Sequence, residues 1–390
     1  MADKFRGKVF NSNVFEKYMK TLPSTKENGL INSAVFKNVS KYRAKMSEQA
    51  GGYFITEPIK GRIGGEPVNY DGATDITSNE RDTFYQTKIA IGRANAWGED
   101  DFVTELTGEN FMAEAAEIKE YWDGEKQKIA LSMLKGIFAM TNNEDFASKH
   151  TYEVAGNLDA DSCNKASQKA LGDKKANLGV IIMHSAVSTN LEGLNLINFL
   201  KYTDKEGIER ELTIGQYNGK LVIVDDDMPV EEVEAEYELT SDVAIDNSKT
   251  YYTRTGSGTS QSPYVYTAVA TPDVDDIATY YEMTAEAYPT YTSYMFANGF
   301  FEFEDVGVKV PSETARNATQ RGGHTDLISR VRYVIVPQYI SYKTKTAKSP
   351  TNADLENGAN WEVSNNGESG GSKKYVDGKL IPVVRIISRG

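Results

Sequence analysis

The sequence predicts an α+β fold with several subdomains, and three patterns support this prediction. Apolar residues recur at helical spacing across residues 108–140. Strand-like runs joined by glycine-containing turns cover residues 53–92, and a stretch rich in Thr and Tyr but poor in Leu covers residues 231–286. One chain therefore combines a long helix, a long β-hairpin and an all-β insertion.

The composition is that of a soluble folded protein without membrane segments. Apolar residues make up 39% and charged residues 25% of the 390 residues, which argues against disorder and allows two or three subdomains. No run approaches the roughly 20 apolar residues that cross a bilayer. Residues 1–15 lack the apolar core of a signal peptide, so we expect the chain to fold in the cytosol.

Charge and cysteine content exclude two further classes of protein. The net charge is −13, and the chain lacks the clustered Lys and Arg that neutralise nucleic-acid phosphates. Cys163 is the single cysteine, so neither an intrachain disulfide nor a thiolate metal cluster can form. A tight nucleic-acid binder and a disulfide-stabilised domain are therefore excluded.

Residues 1–50 are predicted to form an arm with two short helices. The second helix covers residues 33–49 and ends before the Gly51-Gly52 pair. The apolar content of the arm is too low for a core of its own, so we expect it to lie on another surface. The first helix would present one apolar face, formed by Val14, Phe15, Tyr18 and Met19.

Residues 53–92 are predicted to form a long two-stranded ribbon. One strand opens at Tyr53, a glycine cluster at 61–65 lies among the turns, and a strand with alternating character returns over residues 83–91. An isolated ribbon is marginally stable in water, and its edges attract other strands. We therefore expect the ribbon to rest on a neighbouring copy of the chain.

Residues 108–140 form the clearest predicted helix. If Gly124 does not interrupt it, the helix is about 45–50 Å long and suits a spine that crosses the subunit. Its apolar side chains recur at steps of three, four or seven residues: Phe111, Ala115, Ile118, Trp122, Ile129, Met133, Ile137 and Met140.

Residues 163–230 and 287–342 are predicted to form mixed helix and strand units. The run 179–183 is apolar throughout, which is typical of a buried strand. A helix is predicted over residues 185–200, with Ser185 as its N-cap. Further strands are predicted at 212–214, 219–224, 294–296, 299–303, 331–337 and 380–387.

Residues 231–286 are predicted to form a β insertion with a Tyr-lined core. Its frequent aromatic residues argue against disorder. The segment contains a weak internal repeat, in which Asp242 precedes Thr250-Tyr251-Tyr252 and Asp273 precedes Thr279-Tyr280-Tyr281.

No catalytic, cofactor-binding or metal site is predicted. The acidic run 225–227 matches no calcium-loop spacing, so we interpret it as a solvated strand end before Pro229. His150, His184 and His324 lack metal-ligand spacing, and no nucleophile is arranged with them, so structural roles are favoured. The Arg321-Gly322-Gly323 run lacks a phosphate-loop pattern and is interpreted as a turn.

Five phrases carry a family resemblance: IAIGRANAWGEDDF (89–102), LTIGQYNGKLVIVDDDMPV (212–230), SYMFANGFFEFED (293–305), SPTNADLENGANWE (349–362) and KLIPVVRIISRG (379–390). Together and in this order they resemble the tailed-bacteriophage major capsid family with the Hong Kong 97-type fold. None of them is a site motif, and the resemblance covers nearly all of the chain outside the insertion.

The resemblance implies an N-terminal arm, an extended loop, a peripheral domain with a spine helix, and an axial domain from which the insertion projects. In this sequence the arm is 1–50, the loop 53–92, the peripheral domain 93–162 with 343–390, the spine helix 108–140, the axial domain 163–230 with 287–342, and the insertion 231–286.

The implied function is that of a major capsid protein and not of an enzyme. Copies would assemble as hexamers and pentamers into an icosahedral head, formed in the host bacterial cytoplasm and enclosing double-stranded DNA without sequence-specific binding. Other implied partners are a portal and, because the chain reaches the arm directly after Met1, a separate scaffolding protein. No membrane and no cofactor are implied. The insertion is a candidate to stabilise the capsomer, to bind a decoration protein or to touch host surfaces. It is alternatively a tolerated surface module.

Three alternatives stay open. Some relatives join subunits through Lys–Asn isopeptide bonds, for which Lys60 and the asparagines Asn352, Asn357 and Asn360 are candidates, although absence of cross-links is favoured. The chain could instead be a tail-tube or baseplate component. An enzyme with an α/β core at 163–340 is disfavoured because no convergent ionisable residues are evident.

Overall fold

The computed structural model describes residues 3–5, 8–10, 29–48, 53–76, 78–102, 105, 115–203, 209–242, 244–246, 248–259, 261–344 and 348–390. The helices discussed below are α1 (Gly29–Asn32), α2 (Tyr42–Glu48), α3 (Ala115–Phe138), α4 (Glu144–Lys149), α5 (Ser162–Leu171), α6 (Ser185–Gly193) and α7 (Asn352–Glu356). The strands are β1 (Asp3–Phe5), β2 (Lys8–Phe10), β3 (Phe36–Asn38), β4 (Phe54–Lys60), β5 (Thr83–Asp100), β6 (Thr151–Glu153), β7 (Val180–Met183), β8 (Asn198–Thr203), β9 (Glu209–Tyr217), β10 (Lys220–Val224), β11 (Val230–Val233), β12 (Glu236–Leu239), β13 (Tyr251–Thr255), β14 (Val265–Ala268), β15 (Tyr281–Ala285), β16 (Tyr288–Phe296), β17 (Phe301–Asp305), β18 (Ser312–Asn317), β19 (His324–Pro337), β20 (Ile340–Tyr342), β21 (Trp361–Val363) and β22 (Val383–Ser388).

Two large mixed sheets form the body of the molecule. Sheet I has the strand order β6-β22-β16-β7-β10-β9-β8, with β11 added beside β16. Sheet II has the order β3-β17-β19-β5-β4, with β18 added beside β19. Most pairs are antiparallel, while β7–β10 and β6–β22 in sheet I and β3–β17 in sheet II are parallel.

One hydrophobic cluster joins α3 to both sheets. Met133 and Ile137 of α3 share this cluster with Ile182 of sheet I and with Ile91 and Ile335 of sheet II, and all five side chains are buried. Because the two sheets have a common core, α3 is the spine of the whole body, as its predicted length suggested.

Sheet I is covered on both faces. Along β7, Val180 and Ile182 belong to the α3 cluster, whereas Ile181 and Met183 belong to a second cluster with side chains of α5 and α6. This alternation explains why the strand reads as an uninterrupted apolar run in the sequence.

The surface on which residues 29–48 of the predicted arm lie is the body of their own subunit. Leu30 and Val35 insert into the main cluster, and Tyr42 is buried against the opposite face of sheet II with Ile55 and Val334. A few large side chains therefore anchor a segment whose average apolar content is low.

Within this segment the predicted helix over residues 33–49 is corrected. Residues 36–38 form β3, which pairs with β17, and the helix is confined to α2. The helix predicted around Phe15 lies outside the described residues. β1 and β2 pair with each other in a small antiparallel sheet.

Two other helix predictions change at their ends. α3 runs through Gly124 without a break and ends at Phe138, while residues 108–114 of its predicted start lie outside the described residues. α6 ends at Gly193 because the chain then enters β8. Its N-cap is His184 and not Ser185, since the His184 ring accepts a 3.1 Å hydrogen bond from the Ala186 amide.

In two places, strands from the predicted peripheral segment and strands from the predicted axial segment lie in the same sheet. β22, from the segment 343–390, pairs with β16 and β6 in sheet I. β17, β18 and β19, from the segment 287–342, lie in sheet II with the ribbon strands. The pairing shows which strands share a sheet, and the division into domains stays a prediction.

The insertion contains a four-stranded antiparallel sheet of its own. Its order is β12-β15-β13-β14, and Tyr251, Ile277 and Tyr280 form a buried cluster on one face. β11 pairs with β16 and so belongs to sheet I. The predicted Tyr-containing β core is present.

Candidate functional site

The ribbon has a fixed base and an exposed tip. β4 pairs along its whole length with the first half of β5, and β5 then continues into sheet II, where it pairs with β19. The Gly61 amide donates a 2.8 Å hydrogen bond to the Asp82 carbonyl, which closes the base. Between them, residues 62–76 and 78–81 form neither helix nor strand.

A largely buried charged network fixes the ribbon base to the arm segment. Lys88 of β5 donates a 2.9 Å hydrogen bond to the hydroxyl oxygen of Tyr42 and pairs with the carboxylate of Glu57 on β4. Lys45 pairs with the other oxygen of the same carboxylate. The Tyr42 hydroxyl in turn donates to Glu302, so α2, β4, β5 and β17 meet in this network.

Burial and pairing oppose each other in the pKa values of this network. Burial lowers the pKa of Lys88, although its pairing with Glu57 acts in the other direction. Burial raises the pKa of Tyr42, and the hydrogen bond to Glu302 adds to the effect. For Glu57, burial acts to raise the pKa, but hydrogen bonds from Lys45 and Lys88 outweigh it and hold the pKa below its ordinary value. Glu57 is therefore a carboxylate shared by two ammonium groups.

The carboxyl-terminal loop also holds the ribbon base. The Tyr85 amide donates a 2.7 Å hydrogen bond to the carbonyl of Asn365, and the Lys374 ammonium lies 3.0 Å from the Asp82 carboxylate. With the arm segment, this loop fixes the ribbon up to Gly61 and Asp82.

The tip carries large apolar side chains that the described part of the chain does not cover. Tyr70 is 92%, Ile63 84% and Ile76 76% exposed. The Asp71 carboxylate accepts hydrogen bonds from following backbone amides, which lower its pKa to about 2 and shape a local turn. Several exposed apolar groups on one projecting loop are typical of a protein-binding surface.

The prediction that the aspartates after β10 form a solvated strand end is wrong for Asp225. Its buried carboxylate accepts hydrogen bonds of 2.8 Å from Gln127 on α3 and 3.0 Å from the Asp227 amide. Burial raises the pKa of Asp225. Asp226 is exposed, as predicted, and among the described residues no group of three His, Cys, Asp or Glu is arranged to hold a metal ion.

The three histidines bond to different elements. His150 Nδ1 lies 2.7 Å from the Val383 carbonyl oxygen, and burial lowers the pKa of His150. His324 is buried and its Nδ1 lies 2.6 Å from the Asp100 carboxylate. His184 caps α6, so each ring has a structural partner and the interpretation of structural roles stays a prediction that these contacts support.

The remaining candidate residues lie in turns and loops. Arg321 has a φ of 53° and both following glycines have positive φ, so this run is the turn that joins β18 to β19. The Asn352 side chain accepts a 2.7 Å hydrogen bond from Arg93, and the Asn360 side chain donates one of 2.8 Å to the Asp354 carbonyl. A cross-link from Lys60 to a neighbouring copy stays a prediction.

Among the helices in the described ranges, none combines the length and apolar character that a membrane crossing requires.

Comparison with known proteins defines the class of this subunit. No protein-family profile matches the chain. It is 26% identical to the major capsid protein of Bacillus phage SPP1 over 342 residues, which cover 87% of each chain. Among solved structures, the capsid of Ralstonia phage GP4 has a TM-score of 0.51 at 8% identity and covers 97% of this chain and 96% of its own. The capsid of cyanophage Pam1 has a TM-score of 0.49 at 10% identity and covers 100% and 99%.

The fold, with two sheets on one spine helix and a projecting ribbon, is that of a phage capsid subunit, and the predicted α+β capsid fold is confirmed. The resemblance to the tailed-phage major capsid proteins that the sequence predicts is confirmed by the relative from phage SPP1. The role of this chain is that of a major capsid protein in the phage head, where copies assemble into the capsid of the virion.

Proposed function

We propose that copies of this chain associate as hexamers and pentamers into an icosahedral head, with the tip of each ribbon lying across a neighbouring copy. The tip carries the proposal, because Ile63, Tyr70 and Ile76 are exposed on a loop whose base is held rigidly. Covering three such side chains on each of many copies stabilises a shell without any covalent bond.

The head would enclose double-stranded DNA without sequence-specific binding, since the net charge of −13 disfavours tight contact with phosphates. We further propose assembly in the host bacterial cytoplasm, with a scaffolding protein and a portal as partners and without a catalytic role. These partners follow from the family resemblance.

The test is to replace residues 62–81 by an Asn-Gly turn, which suits a two-residue hairpin connection between Gly61 and Asp82. The base keeps its packing, so the variant should be soluble and folded but should form no shells in electron micrographs. The same result is expected when Ile63, Tyr70 and Ile76 are all changed to Ser.

Val274→Ser is the matched control, because this exposed apolar side chain lies in the insertion and not in the ribbon. It should assemble normally. Normal shells from the variant that lacks the tip would refute the proposed contact.

A further inference from the structure

One face of the insertion sheet is aromatic, and its side chains are half-buried or exposed. In an antiparallel sheet, directly opposed residues lie on the same face. The observed register puts on this face the side chains of Tyr237, Leu239, Tyr252, Arg254, Tyr266, Tyr281 and Met283. The opposite face is the one that carries the buried cluster of Tyr251, Ile277 and Tyr280.

The rings on this aromatic face support one another. Tyr237 and Tyr266 stack at 3.9 Å with an angle of 9°, and Tyr266 meets Tyr281 edge-on at 5.4 Å. Tyr237 and Tyr266 come from the two edge strands of this sheet. The guanidinium of Arg254 lies 4.7 Å from the centre of the Tyr281 ring. A pre-formed aromatic surface of this kind binds a partner with little loss of side-chain freedom.

Two apolar side chains at the margin of the face are open to solvent. Leu239 is 56% and Met283 36% exposed, although both lie beside tyrosines. Val265, on the opposite face of the same sheet, is similarly exposed at 53%. Both faces therefore carry exposed apolar side chains. Only on the aromatic face do these side chains lie beside tyrosine rings.

The net negative charge of the insertion limits the classes of molecule that can bind to it. Residues 234–286, which follow β11, contain 10 acidic and 2 basic side chains, a net charge of −8, so the rest of the chain contributes −5 of the total of −13. Nucleic acid, anionic membranes and a second insertion would all be repelled. A protein surface rich in Lys and Arg would be attracted, and its cations can lie over the tyrosine rings.

We propose that the aromatic face of the insertion is a docking surface for a basic protein partner. This inference goes beyond shell formation and does not depend on it, because the face lies on the insertion and away from the ribbon tip in the sequence. The attraction would bring the partner to the insertion, and the tyrosines with Leu239 and Met283 would form the contact.

The proposal can be tested on the purified full chain with a fluorescent octa-arginine peptide as the probe and octa-glutamate as its acidic counterpart. Binding is measured by fluorescence anisotropy at low and high salt. The wild type should bind octa-arginine in a salt-sensitive manner and should not bind octa-glutamate. Leu239→Ser with Met283→Ser should weaken octa-arginine binding by roughly tenfold, the scale of a contact residue.

Val265→Ser is the matched control and should bind as the wild type does. Arg254→Gln should bind the probe more tightly, because it removes the cation on the face while leaving the fold of the exposed strand intact. The proposal is overturned if the Leu239 and Met283 double variant binds as tightly as the wild type, if Val265→Ser loses as much affinity as that variant, or if octa-glutamate binds equally well.

Discussion

The ammonium nitrogen of Lys88 lies 2.9 Å from the hydroxyl oxygen of Tyr42 and 4.6 Å from the centre of the same ring. Tyr42 belongs to the arm segment and Lys88 to the ribbon, so this contact joins two parts of the chain that the sequence predicts as separate segments. Any movement of the ribbon base would have to expose the Lys88 charge or carry α2 with it. We therefore infer that the part of the ribbon free to adapt to a neighbouring copy is the tip beyond Gly61 and Asp82.

The first prediction concerns Lys88→Met. The Lys88 side chain is 3% exposed, and its loss leaves the Tyr42 hydroxyl and one Glu57 oxygen without their donor. Removal of one partner from a buried pair should lower the free energy of unfolding by about 3 kcal/mol. Urea unfolding of unassembled subunits measures this change.

Lys45→Met is the control, since Lys45 is exposed and pairs with the same carboxylate. It should lower the free energy of unfolding by less than about 1 kcal/mol. Equal losses in the two variants would contradict the role given to Lys88.

The second prediction concerns the packing of the spine helix. A Cβ atom at Gly136 would overlap the Leu355 carbonyl oxygen and lie 2.6 Å from Trp361 Nε1, which itself donates a 2.6 Å hydrogen bond to that carbonyl. Gly136→Ala should therefore destabilise the subunit by about 2–3 kcal/mol despite the better helix propensity of Ala. Thermal unfolding tests this change.

Gly193→Ala is the control for Gly136→Ala, because nothing lies within 4 Å of a Cβ at Gly193 at the end of α6. That variant should be neutral or slightly stabilised. If Gly136→Ala were equally well tolerated, the close contact between α3 and the carboxyl-terminal segment would be wrong.

The third prediction concerns the single thiol. Burial raises the pKa of Cys163 to about 12, so the thiolate that reacts with disulfide reagents is almost absent at mildly alkaline pH. Ellman's reagent should leave the native subunit unmodified and should titrate one thiol per chain after unfolding in urea. Rapid reaction of the folded protein would show that Cys163 is accessible, contrary to its position in the cluster beneath sheet I.

Residue spacing and composition predict an element when its apolar residues form a regular pattern or a continuous run. The spine helix, the apolar strand β7 and the Tyr-rich insertion were all predicted from composition and spacing. The arm segment was not, because Leu30, Val35 and Tyr42 are isolated apolar residues in a polar stretch, and only the tertiary structure shows that each enters the body. Average hydropathy cannot detect such single anchors.

The charged network at the ribbon base was also missed, although one signal was present. Lys88 lies between Thr87 and Ile89 in a strand where Gln86 and Ala90 occupy the same face, and that face proved to be buried. Its partner Glu57 and the Tyr42 partner Glu302 are far from Lys88 in sequence. Their convergence depends on the pairing of β4 with β5 and of β17 with β19. No local spacing encodes those pairings.

The fourth prediction concerns pH and Asp225. Burial raises the pKa of this carboxyl above its ordinary value of 3.8, so the folded state holds the proton more tightly than the unfolded state does. The stabilising contribution of the protonated form is therefore full below the ordinary pKa and is lost as the pH rises through the folded-state pKa. Asp225→Asn removes this titration, and its amide can donate to Gln127 Oε1, a buried atom without a partner among the described residues.

Unfolding free energies of the wild type and Asp225→Asn should therefore be compared from neutral pH down to about pH 4, close to the unfolded-state pKa. At neutral pH the variant should be the more stable of the two, because its neutral amide replaces a desolvated carboxylate. As the pH falls, the wild type should gain relative to the variant, by about 1.4 kcal/mol for each unit by which the folded-state pKa is raised. A constant difference, or a relative gain by the variant in acid, would mean that Asp225 is not held as a desolvated carboxylate between β10 and the spine helix.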